Sequence, residues 1–200
     1  MSKITSKQAA PFLILAVVAI IAIFIPSLPN FDDGGKYNVA DISWIIVATA
    51  LVFLMTPGLA LFYGGMVHRK NVISTMMKSI VAMGIVGVLW IAVGFSLAFG
   101  KDMGGFIGDP TTFAFFKDVN NGEPWSLAPT IPLTLFALFQ LMFAIITPGL
   151  VVGAVAERIR FTSYIAFIAL FSLFVYAPLA HCAWHPDRFR QRLGRGPAGA

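Results

Sequence analysis

The 200-residue chain is 58% hydrophobic and only 12% charged, with 19 phenylalanines and a net charge of +5. A soluble domain of this size cannot hide that much apolar surface in one core, so soluble enzymes and soluble binding modules are excluded. The basic excess sits in short loops and a basic tail and gives no reason to invoke nucleic acid. Cys182 is the single cysteine, which excludes an intrachain disulfide and a Cys-based metal cluster. No Walker-type phosphate loop occurs, and no cofactor is expected.

Residues 1–30 read as a signal peptide or an N-terminal anchor. Lys3 and Lys7 precede 14 apolar residues at 12–25, the right length for a signal sequence. No clean small-x-small cleavage site precedes Asp32, and an uncleaved anchor ending at Pro26 is the other reading. Both place residues 30–41 on the outer side. The first long uncharged run covers 42–63, 22 positions, enough for a helix across a bilayer core. Thr56-Pro57-Gly58 is expected to interrupt and kink it, because proline removes a backbone donor and clashes with the preceding turn. Gly64 and Gly65 allow close backbone approach and a turn into the next loop. That loop, 66–78, carries His68, Arg69, Lys70 and Lys78 with no acid. Lys78 reads as a cytoplasmic lysine near a span end.

A second run of 22 uncharged positions covers 79–100. The following loop, 101–123, holds Asp102, Asp109, Asp118 and Glu123 against Lys101 and Lys117. Residues 124–156 then give 33 uncharged positions, with a helix start expected at Ile131-Pro132. Phe139 and Phe143 are four apart and share a helix face, which by spacing alone reads as packing. Gln140 is a lone polar group expected to bond a neighbouring helix. Thr147-Pro148 offers a second kink, and Gly149 with Gly153 forms a small-xxx-small pair for tight helix contact. Glu157, Arg158 and Arg160 close the span, with Glu157 and Arg158 expected as a weak interfacial ion pair. Residues 161–180 form the last uncharged run. His181 and His185 have a spacing that binds metal on a helix, but Pro186 argues against a helix there, so no metal site is expected. The remainder, 186–200, is an atypical basic tail with Arg188, Arg190, Arg192 and Arg195.

Basic loops flank the cytoplasmic ends of membrane helices. Loops 66–78 and 157–160 are therefore expected inside, with 101–123 and Trp184 outside. The mature N-terminus then lies outside a multi-pass chain in the cell membrane.

Several ordered runs resemble the ammonium transporter (Amt/Mep/Rh) family. NVADISW at 38–44, ALVFLMTPGLALFYGG at 50–65 and RKNV at 69–72 are similar to its first span and following loop. Phe139-Gln140 through Phe143-Ala144, GLVVGA at 149–154 and AERIRF at 156–161 are similar to its third. YAPLAH at 176–181, with Trp184, resembles the end of its fourth. The resemblance covers 37–185, read as spans one to four.

It implies an all-α integral membrane protein, the first half of an eleven-span inverted-repeat fold that assembles as a trimer around separate pores. It implies transport of ammonium or ammonia rather than enzymatic turnover, and a cytoplasmic PII-type regulator as a candidate partner. Matching motif to motif, Trp184 falls on the family's vestibule tryptophan. Phe143 falls on the phenylalanine that lines the recruitment site and helps form the gate, and Phe139 on a nearby vestibule aromatic. Asp41, Pro57, Gly58, Gly64, Gly65, Gly149, Gly153, Glu157 and Arg158 fall on structural motif positions. The family's Asp-Phe-Ala-Gly-Gly motif and its two pore histidines have no counterpart here. The tail from about Arg188 is expected to be out of frame, and the chain a truncated, inactive form. Two other readings are a membrane subunit that modulates a full-length transporter trimer and an ammonium sensor. A sensor would need a cytoplasmic output domain after the last span.

Overall fold

The computed structural model describes residues 36–120 and 123–186. The expected signal or anchor at 1–30 lies outside the described residues, as does all of the basic tail beyond Pro186.

Among the described residues, four helices are long and apolar enough to cross a membrane: span 1, Val39–Met66; span 2, Arg69–Phe99; span 3, Leu133–Val155; and span 4, Phe161–Trp184. Their mean hydropathies of 2.0 to 2.4 follow from the uncharged runs of the sequence. Span 2 packs against the other three, and span 1 packs on spans 2 and 3. The core between them includes Val86, Trp90, Phe95, Phe99, Ala137, Ala144, Tyr164 and Ile168. Span 1 contributes little to it and leaves Trp44, Leu51, Leu54 and Leu61 exposed.

Span 1 starts three residues earlier than the uncharged run, because Asn38 caps it. The Asn38 Oδ1 accepts from the Ala40 and Asp41 N–H groups at 2.9 and 3.4 Å. Asp41 then sits in the first turn, where a negative charge suits the helix dipole. The expected interruption at Thr56-Pro57-Gly58 does not occur, since the helix continues unbroken through Pro57 to Met66. A proline at one position removes one bond of a long ladder, and packing of the buried Thr56 and Ala60 against neighbours carries the helix across. In span 3 the helix breaks just after Pro148, at Val151, and resumes at Val152–Val155.

The glycines differ in what they allow. A Cβ on Gly64 would meet the Met76 side chain of span 2 at 2.9 Å, whereas Gly58 and Gly65 face open space. A Cβ on Gly153 would meet the Tyr63 ring at 2.5 Å, and one on Gly149 would make an ordinary 3.7 Å contact with Leu59. Gly149 and Gly153 thus both face span 1, and the Tyr63 hydroxyl donates across the contact to Leu150 O at 2.9 Å.

Spans 2 and 4 each contain a π-helical turn, at Trp90–Gly94 and Ser172–Tyr176. Such a turn inserts one extra residue and re-aims the side chains beyond it. The two turns face each other, with the Trp90 and Tyr176 ring centroids 6.2 Å apart. The loop after span 2 begins with a small hairpin, β1 (Asp102–Met103) against β2 (Ile107–Gly108), with Asp102 opposite Gly108. Gly104 and Gly105 take φ of 81° and 83° at its tip, a conformation other residues rarely adopt.

At the other end of the bundle, Glu157 is not paired with Arg158. Its Oε1 accepts from the His68 N–H at 2.9 Å and the Asn71 side-chain amide at 2.8 Å. Glu157 has φ 62°, a left-handed conformation that turns the chain back toward the 66–71 loop. Those hydrogen bonds, the Asn71 side chain first, hold its carboxyl below the ordinary glutamate value. Lys78, expected at a span end, is instead buried, with Nζ 3.4 Å from Ile159 O and over the Tyr164 ring at 5.9 Å.

Candidate functional site

Phe139 and Phe143 project from one face of span 3. Their rings meet edge to face, with centroids 5.1 Å apart. They line a pocket of about 400 Å³ together with Gln140, Thr147, Tyr176 and Trp184. The residues come from two helices and from positions up to 45 apart in the chain, Phe139 and Trp184 being the extremes. Trp184, the last helical residue of span 4, keeps 59% of its surface exposed at the pocket edge, and Phe143 keeps 36%.

Each lining group has a local cause. The Thr147 hydroxyl donates back to Phe143 O at 2.8 Å, so its polar atom is satisfied within the helix. Tyr176 closes the π-helical turn of span 4. Gln140, expected to bond a neighbouring helix, lines the pocket too. Aromatic faces carry negative quadrupole density, so a ring-lined hollow with one amide and one phenol suits a small cation better than an anion.

The chain matches the profile of the Ammonium Transporter Family over residues 43–195. It belongs to the ammonium transporter family. An ammonium transporter of Mycobacterium tuberculosis is 45% identical over 175 residues, covering 81% of this chain and 36% of that protein. A putative ammonium transporter of Methanothermobacter thermautotrophicus is 47% identical over 158 residues, covering 78% and 38%. Among solved structures, Saccharomyces cerevisiae Mep2 superposes with a TM-score of 0.71 at 33% identity, covering 82% of this chain and 36% of that one. A sensor Amt protein superposes with a TM-score of 0.64 at 32% identity. The chain therefore spans little more than a third of the length of the family members it matches. It carries an all-α membrane fold of ammonium transporter type, and its relatives are transporters, not enzymes.

A second polar cluster lies beside the pocket. The expectation that Pro186 prevents a helix at His181 and His185 fails. Span 4 runs to Trp184, and the His185 N–H still bonds His181 O at 3.0 Å. Proline pushes the residue before it out of the helical region, and His185 is indeed extended at φ −73°, ψ 138°, which ends the helix after Trp184. The two imidazoles stack with centroids 4.3 Å apart. They do not converge on a metal, because His181 spends both ring nitrogens elsewhere: Nδ1 lies 3.1 Å from Ala98 O, and Nε2 lies 3.1 Å from Asp102 Oδ1. His181 is fully buried and the Asp102 side chain is 8% exposed. The same Asp102 oxygen accepts from the Gly105 N–H at 2.6 Å. No local spacing links positions 102 and 181, so sequence reasoning weighed His181 only against His185.

A larger hollow of about 680 Å³ opens on the hairpin side, lined in part by Asp102, Asp109, Asp118, Trp125 and His185. Its Asp109 is occupied as a turn former. The Thr111 N–H and hydroxyl both donate to its Oδ1 at 2.8 Å and hold its carboxyl below the ordinary aspartate value.

Proposed function

We propose that residues 37–185 form part of an ammonium or ammonia pathway, and that Phe139, Phe143 and Trp184 line its outer recruitment vestibule. The observation that carries this reading is the single pocket shared by those three aromatics with Tyr176 and Gln140. A cation over an aromatic face gains about 0.5–2 kcal/mol, more when its water is removed. Potassium gains from the rings as well, so the acceptor oxygens of Gln140 and Tyr176 would supply part of the discrimination. In this reading loops 66–78 and 157–160 face the cytoplasm and the Asp102 hairpin faces outward in the cell membrane. A PII-type regulator would meet the inner loops, and trimers would form as the family resemblance implies. Residues 37–185 by themselves are expected to conduct nothing, because the family's pathway runs between two halves of the fold.

The test is a chimaera in which residues 37–185 replace their counterpart in the Mycobacterium tuberculosis relative. Methylammonium uptake by the chimaera, lost or made leaky to potassium by Phe143→Ala and Trp184→Ala, supports the reading. A chimaera that inserts and transports but ignores both substitutions overturns it. Orientation is tested by single cysteines in a Cys182→Ser background. Labelling by an impermeant reagent near residue 110 and protection near residue 70 are expected, and the reverse pattern would invert the scheme.

The alternative is a membrane subunit that joins a full-length transporter. It draws on span 1, of which only 11% of the most apolar window is buried. That reading predicts co-purification with a full-length transporter and is sunk by its absence under crosslinking.

A further inference from the structure

We propose that Asp102 and His181 form a buried latch that positions Trp184 over the Phe139–Phe143 pocket. The consequence for ion recruitment rests on the function proposed above; the positional claim does not. The physical problem is where Trp184 stands. It is the last residue of a helix, where carbonyls lack intrahelical partners and ends fray. A tryptophan that must present its ring at a fixed height needs that final turn held from outside.

His181 does this. It lies one turn before Trp184 on a neighbouring strip of the helix surface. Its Nδ1 faces a carbonyl, Ala98 O, which can only accept, so Nδ1 carries hydrogen. Its Nε2 faces Asp102 Oδ1, which already accepts from Gly105 N–H. The two contacts tie the end of span 4 to the end of span 2 and its hairpin, with the Asp102 carboxylate at one ring nitrogen and a backbone carbonyl at the other. Neighbouring contacts reinforce this tie. The Cys182 thiol lies 3.5 Å from Phe106 O, also on the hairpin. His185 meets the Trp125 ring at 5.5 Å, and Trp125 stacks at 5.7 Å on Phe136, one turn before Phe139. The final turn of span 4 is thus held both to span 2 and, through Trp125, to the helix that carries the phenylalanines.

The hairpin is built for this approach. A Cβ at Gly100 or Gly108 would collide with Ser96 O, so only glycine lets β2 lie against the end of span 2 and bring Asp102 under His181.

The experiment uses the 200-residue chain in lipid nanodiscs, labelled with 5-fluorotryptophan. The chain has four tryptophans, and Trp184 is assigned by Trp184→Phe. Asp102→Ala and His181→Ala are expected to shift and broaden the Trp184 fluorine resonance while leaving that of Trp44 in place. Asp102→Asn is expected to restore it in part, because the asparagine side chain has the same shape and its Oδ1, in the same place, still accepts from the Gly105 N–H. If His181→Ala does not fold, Asp102→Ala, which leaves the Ala98 bond intact, carries the test alone. An unmoved Trp184 resonance in Asp102→Ala, or an Asp102→Asn as perturbed as Asp102→Ala, overturns the latch. In the transporting chimaera, Asp102→Ala is expected to raise the methylammonium KM about tenfold with kcat changed less than twofold, a split that general destabilisation would not give. A shifted Trp184 resonance with an unchanged KM would leave the latch standing and count against the vestibule role of Trp184.

Discussion

The two ends of the bundle are each tied by one carboxylate that bridges distant parts of the chain, yet the ties differ in kind. Glu157 is exposed and joins two loops through a backbone N–H and an amide. Asp102 is buried and joins a hairpin to a span end through a fully buried imidazole. Water competes for every bond Glu157 makes, so its tie orders a loop but holds little against unfolding. Asp102 keeps only 8% of its side chain exposed, at the wall of the open hollow, and removing it leaves the fully buried His181 without its Nε2 partner. At the Glu157 end, therefore, packing must do what the polar bridge does at the Asp102 end. Gly153 against Tyr63 and Gly64 against Met76 supply it.

The largest effect should come from breaking the buried pair on one side. Asp102→Ala is expected to cost about 3 kcal/mol of stability, the upper end of the usual penalty for leaving a buried hydrogen-bonding group unsatisfied. Thermal unfolding in nanodiscs checks this. Replacing both members by leucine should recover most of the loss, and a double variant as unstable as Asp102→Ala would show that the pair itself, and not the stranded imidazole, dominates.

An intermediate effect is expected from packing at the opposite end. Gly153→Val places carbon where the Tyr63 ring now lies, and overpacking of this kind costs about 1–3 kcal/mol. Gly65→Val, at a position with nothing within 4 Å, is the matched control and should cost far less. Equal effects of the two would break the claim that this end is held by close approach.

The smallest effect belongs to Glu157. Glu157→Gln should leave the global midpoint unchanged and raise hydrogen exchange only at His68 and Asn71. Because the folded carboxyl titrates below its ordinary value of 4.5, its contribution is fully present above that pH and is lost as pH falls through the folded value. Wild-type exchange at His68 should accordingly rise toward that of the variant only in acid. Arg158→Ala should change neither quantity, since Glu157 bonds elsewhere.

Much of this was legible in the sequence. The uncharged runs set four spans of the right length, because crossing a bilayer without water leaves a helix as the way to satisfy the backbone of each segment. Local chemistry also marked the start of span 3 near Pro132 and the shared face of Phe139 and Phe143. What the sequence overstated were local rules. Proline at 57 did not interrupt a helix held by its neighbours, and Pro186 stopped the helix only after His181 had been used. Glu157 took partners across 86 and 89 positions in preference to the adjacent arginine. Three things were settled only by tertiary packing: the place of Tyr176 beside the phenylalanines, the burial of Lys78, and the union of Asp102 with His181. Each joins residues of different spans, and no periodicity within a single helix encodes which neighbour its face will meet.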